Sequence, residues 1–453
     1  MPAYRLHTVF FRFNLLVLLF YSLSAYPESL IDIYRLAKQS DPEYLSAKNN
    51  FIADKQKLPQ ARALLLPDIS ATAYKSRSDD KTTVDPDPTL KSGTSGFEQS
   101  GYRVSLRQPL YNGASFAALK QARATVRKAV ADFGIAEQSL VKRAAQAYFN
   151  SLKANDDLDL ATSEKTATKR QLDLASARLE VGLATITEVH EARARYELTE
   201  AQEIEAINQQ EDTIEQLRRL TGQEIRNLEI IGKEDILRPI GPQDIDMWVK
   251  QSLETNLALI AAKADLEIAQ QKVRVQRAGH YPTLDIVGNS SVSDATGSSS
   301  FSVSLPDSSI RRENKTIGLE LNLPLFQGGL VNALTKEAKL RMKAAQYSTE
   351  QVRRQVIRDT RSSFRSLASG RKKISALKQS VIAGESALEA KSEGFKAGIN
   401  TNQDVLYAQR DLFLAKRDHA DAVYTYVLGL FQFKETTGTL NQNDLLLISE
   451  RRN

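Results

Sequence analysis

Apolar and polar positions alternate along this chain in two periods, and the order in which the periods change is itself repeated. From Leu30 to about Leu66 the apolar positions Ile31, Tyr34, Leu36, Ala37, Ala61, Leu64 and Leu65 follow helical spacing. Pro67 ends that helix, because the residue before a proline is pushed out of the helical region. Ile69, Ala71 and Ala73 then alternate with Ser70 and Thr72, the period-two pattern of a strand. Residues 77–100, nearly devoid of apolar side chains, predict a long loop. A second strand follows, with Tyr102, Val104 and Leu106 alternating with Arg103, Ser105 and Arg107 ahead of Pro109. After Gly113 a helical pattern runs to Gly182 without a proline and with only Gly134 inside it. Those roughly 70 residues would span about 100 Å. A shorter helix returns from Thr187 to Leu220.

The second half repeats this layout. Leu-Pro-Asp at 66–68 and Pro109-Leu-Tyr-Asn-Gly113 recur as Tyr-Pro-Thr at 281–283 and Pro324-Leu-Phe-Gln-Gly328, each 215 positions later. Val181-Gly-Leu183 and Thr221-Gly222 recur 216 positions later as Ala397-Gly-Ile399 and Thr437-Gly438. Leu284 and Ile286 open the third strand, a Ser/Gly/Asp stretch at 293–314 predicts its loop, and Ile317, Leu319, Leu321 and Leu323 mark the fourth. A long helix from about Leu330 to Gly398 and a return helix from Thr401 to about Phe433 complete the copy. The expected organisation is a signal peptide at 1–25, a first repeat at 26–222, a connector at 223–247, a second repeat at 248–437 and a C-terminal segment at 438–453.

Each strand is expected to run about nine to eleven residues, the length that crosses a bilayer at a tilt. One face is apolar and the other polar, as lipid-facing and lumen-facing sides require. Four strands cannot close a barrel and lipid does not tolerate open edges, so the chain is expected to share a barrel with other copies. On the long helices, Leu172, Ala175 and Leu179, and again Leu377, Val381 and Leu388, recur at three and four, a coiled-coil-like spacing.

Composition narrows the chemistry. The chain has no Cys, which excludes disulfides and thiol catalysis, and its four His residues lack ligand spacing, so neither a metal nor a cofactor is expected. Arg5 and Arg12, the apolar run Phe13–Leu23 and the small residues Ser22, Ser24 and Ala25 have the form of an export signal. Its removal would lower the net charge from +6 to about +4. The remaining charges alternate in sign along the helices and point to no nucleic acid. No phosphate-binding loop or nucleophile–base motif appears, so an enzyme is not expected.

The whole mature chain resembles the TolC family of outer-membrane exit ducts. The motifs that carry the likeness are Leu-Pro-Asp at 66–68, Gln-Pro-Leu-Tyr-Asn-Gly at 108–113, Gly-His-Tyr-Pro-Thr-Leu at 279–284, Leu-Pro-Leu-Phe-Gln-Gly-Gly at 323–329, Val-Gly-Leu at 181–183 and Asp-Val-Leu at 404–406. The resemblance implies an α+β membrane protein, internally duplicated, giving four strands per protomer to a trimeric outer-membrane β-barrel that continues as a long periplasmic α-helical barrel. It implies a passive conduit for drug efflux or type I protein secretion in a Gram-negative outer membrane, recruited by a periplasmic adaptor and an inner-membrane RND, ABC or MFS pump. The alternative is an exported coiled-coil scaffold bridging the periplasm.

By the same resemblance, the helix tips form the periplasmic mouth. Val181, Gly182, Leu183, Ala397, Gly398 and Ile399 would meet the adaptor, although each Gly would also cap its helix. Thr187 and Glu188 stand where the family's closed state accepts hydrogen bonds, and Phe395 and Asn400 replace the usual Tyr and Arg donors. That exchange implies a looser latch. Asp404 matches an aperture aspartate, where copies meeting on an axis would attract cations, and Tyr407 replaces a second.

Overall fold

The computed structural model describes residues 27–83, 93–230, 241, 244–299 and 305–449. The expected signal peptide and most of the Pro239–Pro242 part of the connector lie outside them. The chain divides into two compact units. Of the described residues, those within 51–130 and 261–351 form one, the sheet unit, and those within 27–50, 131–260 and 352–449 form the other, the helical unit.

In the sheet unit, β1 (Asp68–Thr82), β2 (Gly93–Asn112), β3 (Thr283–Ser299) and β4 (Leu305–Asn322) form one antiparallel sheet in the order β1-β2-β3-β4. The two hairpins share one register: Asp68 faces Arg107, and 215 positions on Thr283 faces Asn322. A bulge at Pro109–Tyr111 shifts β2 against β3, at the residue that has no N–H to give the ladder. Ile317, Leu319 and Leu321 stand exposed on one face of β4 (Ile317 is 79% exposed), while Glu320 and Asn322 occupy the other. Among the described residues β1 and β4 each pair on one side only.

The strands are 15, 20, 17 and 18 residues long, against the nine to eleven expected, and most of the segments 77–100 and 293–314 is strand, not loop. The cause is that a ladder is held by backbone groups. Ser, Thr and Asp outside the apolar band look like loop by composition, yet their amides stay paired across the hairpin.

The N-terminal helical stretch is likewise broken into α1 (Leu30–Ser40), α2 (Pro42–Lys55) and α3 (Lys57–Ala63), where the hydrophobic pattern predicted one helix. Asp41 precedes Pro42 and takes ψ 115°, which ends α1. Its carboxylate then accepts the Tyr44 amide at 3.0 Å and starts α2. The second repeat makes the same corner between α6 (Ile245–Thr255) and α7 (Leu257–Arg277), where Asn256 takes ψ 120° and accepts the Leu259 amide at 3.0 Å.

Two long helices, α4 (Gly113–Glu180) and α8 (Leu330–Lys396), return as α5 (Ile186–Thr221) and α9 (Asn402–Thr436); α10 (Asn443–Ser449) follows. The core of the helical unit packs Leu30, Ile33 and Tyr34 of α1 against Leu140, Tyr148 and Phe149 of α4, Leu217 of α5 and Phe431 of α9. Tyr148 and Phe149 meet edge-to-face at 5.4 Å, and the Tyr148 hydroxyl donates to the Glu229 carbonyl. Among the described residues no helix is long and apolar enough to cross a membrane.

Candidate functional site: the helix tips

Both long helices end in the same way. At the end of α4, Gly182 takes φ 74°, its amide donates to the Leu179 carbonyl at 3.0 Å, and the Leu183 amide reaches the Arg178 carbonyl at 2.7 Å. At the end of α8, Gly398 takes φ 77°, with Gly398 bonded to Phe395 at 3.1 Å and Ile399 to Gly394 at 2.8 Å. This paired closure satisfies carbonyls that a helix end leaves free, and it needs a left-handed residue at the glycine. Ala in place of Gly182 or Gly398 would meet no neighbour but would be forced into that conformation. Each substitution is expected to cost the tip about 1 kcal/mol, read as faster amide exchange confined to the turn.

The return helices open with matching capping boxes. Thr185 accepts the Glu188 amide at 3.3 Å while the Glu188 carboxylate accepts the Thr185 amide at 3.3 Å. Thr401 accepts the Asp404 amide at 3.2 Å, and Asp404 takes the Thr401 amide at 2.9 Å and its hydroxyl at 2.8 Å. Those turns leave Val181, Leu183 and Ile399 projecting into solvent, Ile399 at 82% exposure.

The side chains singled out in the sequence are joined through others, Gln171, Arg178, Lys391 and Leu406, that carry no local motif. Phe395 lies under the Arg178 guanidinium, 4.7 Å from ring centre to charge, so a cation from the first hairpin meets a ring of the second. Gln171 on α4 donates to Asn402 on α9 at 2.6 Å, and Asn402 is buried. Leu406 of α9 packs with Leu172, Ala175, Val189 and Ala192 of the first hairpin. Asn400 folds back over Gly394, where a Cβ would collide with its amide. Lys391 reaches both Asn400, at 3.5 Å, and Asp404, at 3.3 Å. Tyr407 is exposed, accepts from Gln403 at 2.8 Å and lies beneath Arg410. Thr187 and Glu188 make no hydrogen bond to Phe395 or Asn400 among the described residues; Glu188 is engaged in its cap.

The Asp404 carboxyl is held below the usual carboxylate range, first by the Thr401 amide, then by the Thr401 hydroxyl and by Lys391. It is therefore anionic at neutral pH and paired with a cation of its own chain. Lys391 was legible in principle, since Lys391 and Asp404 lie seven and six residues either side of Gly398 and so face each other across the hairpin. The Gln171–Asn402 contact joins segments 231 residues apart and leaves no local signal. No group of three or more His, Asp or Glu side chains among the described residues could hold a metal ion.

Comparison with known proteins gives the same architecture a lineage. The family described as outer membrane efflux protein matches residues 33–223 and 248–438. The outer membrane protein TolC of Vibrio cholerae is 31% identical over 94% of this chain and 94% of its own length. The alkaline protease secretion protein AprF of Pseudomonas aeruginosa is 28% identical over 94% of this chain and 87% of its own. Among solved structures, the CmeC outer membrane channel of Campylobacter jejuni superposes with a TM-score of 0.74 at 17% identity, covering 95% of this chain and 94% of that one. These likenesses favour a channel over the scaffold alternative. The chain belongs to the outer membrane efflux protein family and is an outer-membrane channel, not an enzyme.

Proposed function

We propose that three copies of this chain form a gated exit duct, closed at rest by the helix tips and recruited by a periplasmic adaptor together with an inner-membrane RND, ABC or MFS pump. The observation that carries the assembly is the open sheet: four strands with an exposed apolar face and two unpaired edges. Unpaired backbone groups are not tolerated in hydrocarbon, so the edges must find further strands. The duct itself is passive, and the pump supplies the energy. Relatives named for protease secretion, such as AprF, favour secreted polypeptide as one cargo class, and the efflux family favours small molecules as another.

The adaptor surface is the pair of tips. Val181, Leu183 and Ile399, with Gly182, Ala397 and Gly398 between them, present small and apolar side chains on two matching turns. Apolar groups held out in water at matched positions suit a partner with an apolar groove.

The aperture is assigned to Asp404, one from each copy, with Thr187, Glu188, Phe395, Asn400 and Tyr407 around it. Three carboxylates near one axis favour cations, and Lys391 tempers that preference in this chain. Asp404→Asn keeps an oxygen for the Thr401 cap and removes the charge. Its pore is expected to lose much of its preference for cations in a planar-bilayer reversal-potential measurement. An unchanged preference would take Asp404 out of the aperture.

A further inference from the structure

The duplication makes a statement about the sheet that one chain cannot complete. After a shift of 215 positions the first hairpin has the register of the second, so β2 corresponds to β4 and β3 to β1. Within the chain β2 pairs with β3. The corresponding joint, β4 with β1, has its two sides at opposite edges of the sheet. We infer that β4 of one copy pairs antiparallel with β1 of a second copy in the register of β2 and β3, carried over by 215 positions. This rests on the trimer reading above and adds the residue pairs to it.

The carried-over register sets Lys315 opposite Asp79 and Glu313 opposite Lys81. These descend from the pairs Ser100↔Asp294 and Glu98↔Thr296 within the chain. It also sets Leu321 opposite Ala73 and Leu323 opposite Ala71, apolar on apolar, from Leu106↔Gly288 and Gln108↔Ile286. Past the bulge, Phe326 meets Ile69 as Tyr111 meets Leu284. Phe326 is 87% exposed in the single chain and Ile69 is exposed too, so each supplies apolar surface the other would cover.

Charge tests the register independently of the duplication. A slip by one residue turns every side chain of one strand to the wrong face. A slip by two in one direction sets Arg77 against Lys315, Asp79 against Glu313 and Lys81 against Arg311, all like charges. In the other direction Lys81 meets Lys315 and Asp79 faces Ile317. Directly opposite like charges destabilise a strand pair and opposite charges stabilise it. The first slip keeps one opposite pair, Asp80 with Arg312, against its three like pairs, and of the three same-face registers the carried-over one alone joins opposite charges without opposing like ones.

The natural chain has no Cys, so introduced pairs report cleanly. The full-length variants Ser76→Cys/Gly318→Cys and Arg77→Cys/Ile317→Cys occupy adjacent rungs of the inferred ladder. Adjacent rungs alternate in type, so one of them is the closer pair, with Cα atoms about 4.5 Å apart, within disulfide reach. Gly318 has nothing within 4 Å of an added Cβ. Oxidation in outer-membrane preparations is expected to give a reducible ladder ending at the trimer from at least one double variant and from neither parent single. The slipped pairs Ser76→Cys/Thr316→Cys, Ser78→Cys/Gly318→Cys, Arg77→Cys/Lys315→Cys and Asp79→Cys/Ile317→Cys are expected to give little. A ladder from a slipped pair instead would overturn the register and leave the trimer standing. No ladder from any pair would overturn both.

Discussion

Arg143→Ala is expected to destabilise the helical unit by about 3 kcal/mol, measured as a lowered unfolding midpoint in detergent. Arg143 forks onto Asp41 with bonds of 3.0 and 2.7 Å, and the Asp41 side chain is only 5% exposed. Removing the guanidinium leaves a buried carboxylate with backbone amides, those of Tyr44 and Glu43, as its remaining donors in the corner between α1 and α2. Burial by itself would raise the Asp41 carboxyl, but the Arg143 bonds and the Tyr44 and Glu43 amides together bring it below its ordinary value. A carboxyl depressed on folding gives stability that is complete above the unfolded value near 4 and is lost as pH falls through the folded one. The gap between natural chain and variant should therefore be widest at neutral pH and narrow in acid. The second repeat supplies the control. Asn256 makes the same corner with no charge, and Arg358, the counterpart of Arg143, is exposed. Asp41→Asn combined with Arg143→Leu should accordingly recover much of the loss.

Opening the tips is the second large effect. The two hairpins of a protomer are tied by Gln171 to Asn402 and by Arg178 over Phe395. A hydrogen bond is worth about 1 kcal/mol, and a half-buried cation–π contact such as this one about 1. If both ties belong to the closed arrangement alone, Gln171→Ala/Arg178→Ala shifts the balance toward open by about 2 kcal/mol, on the order of 30-fold. The expected reading is a larger mean conductance or frequent open bursts in single-channel records, with the natural current restored by neither single reversion alone. Unaltered records would mean that the ties persist in both states. Phe395 lacks a hydroxyl but still offers a ring face, and Arg178 supplies its partner.

Much of this molecule can be read from its punctuation. Pro67, Pro109, Pro282 and Pro324 fix where strands meet helices, Gly182 and Gly398 fix the turns, and their repetition gives the duplication. The lengths of the strands were hidden because Ser- and Asp-rich segments keep their backbone ladder without an apolar face to advertise it. The break at Asp41 was legible in Pro42 and was masked by an apolar spacing that continues through it. At the tips the residues named by family likeness lie on the two turns or on the helices that flank them, with Glu188 and Asp404 in equivalent caps. What ties them together was not legible, because Gln171, Arg178 and Leu406 act between hairpins that the sequence keeps more than two hundred positions apart.

The most direct test of the account is ion current through the purified full-length protein inserted in a planar bilayer, with insertion confirmed separately. A shut duct lined by three-fold carboxylates at its narrow end predicts a small, steady current that prefers cations and grows in Gln171→Ala/Arg178→Ala. Inserted protein that carries no current, in the natural form and in that variant alike, would contradict a channel closed at its helix tips.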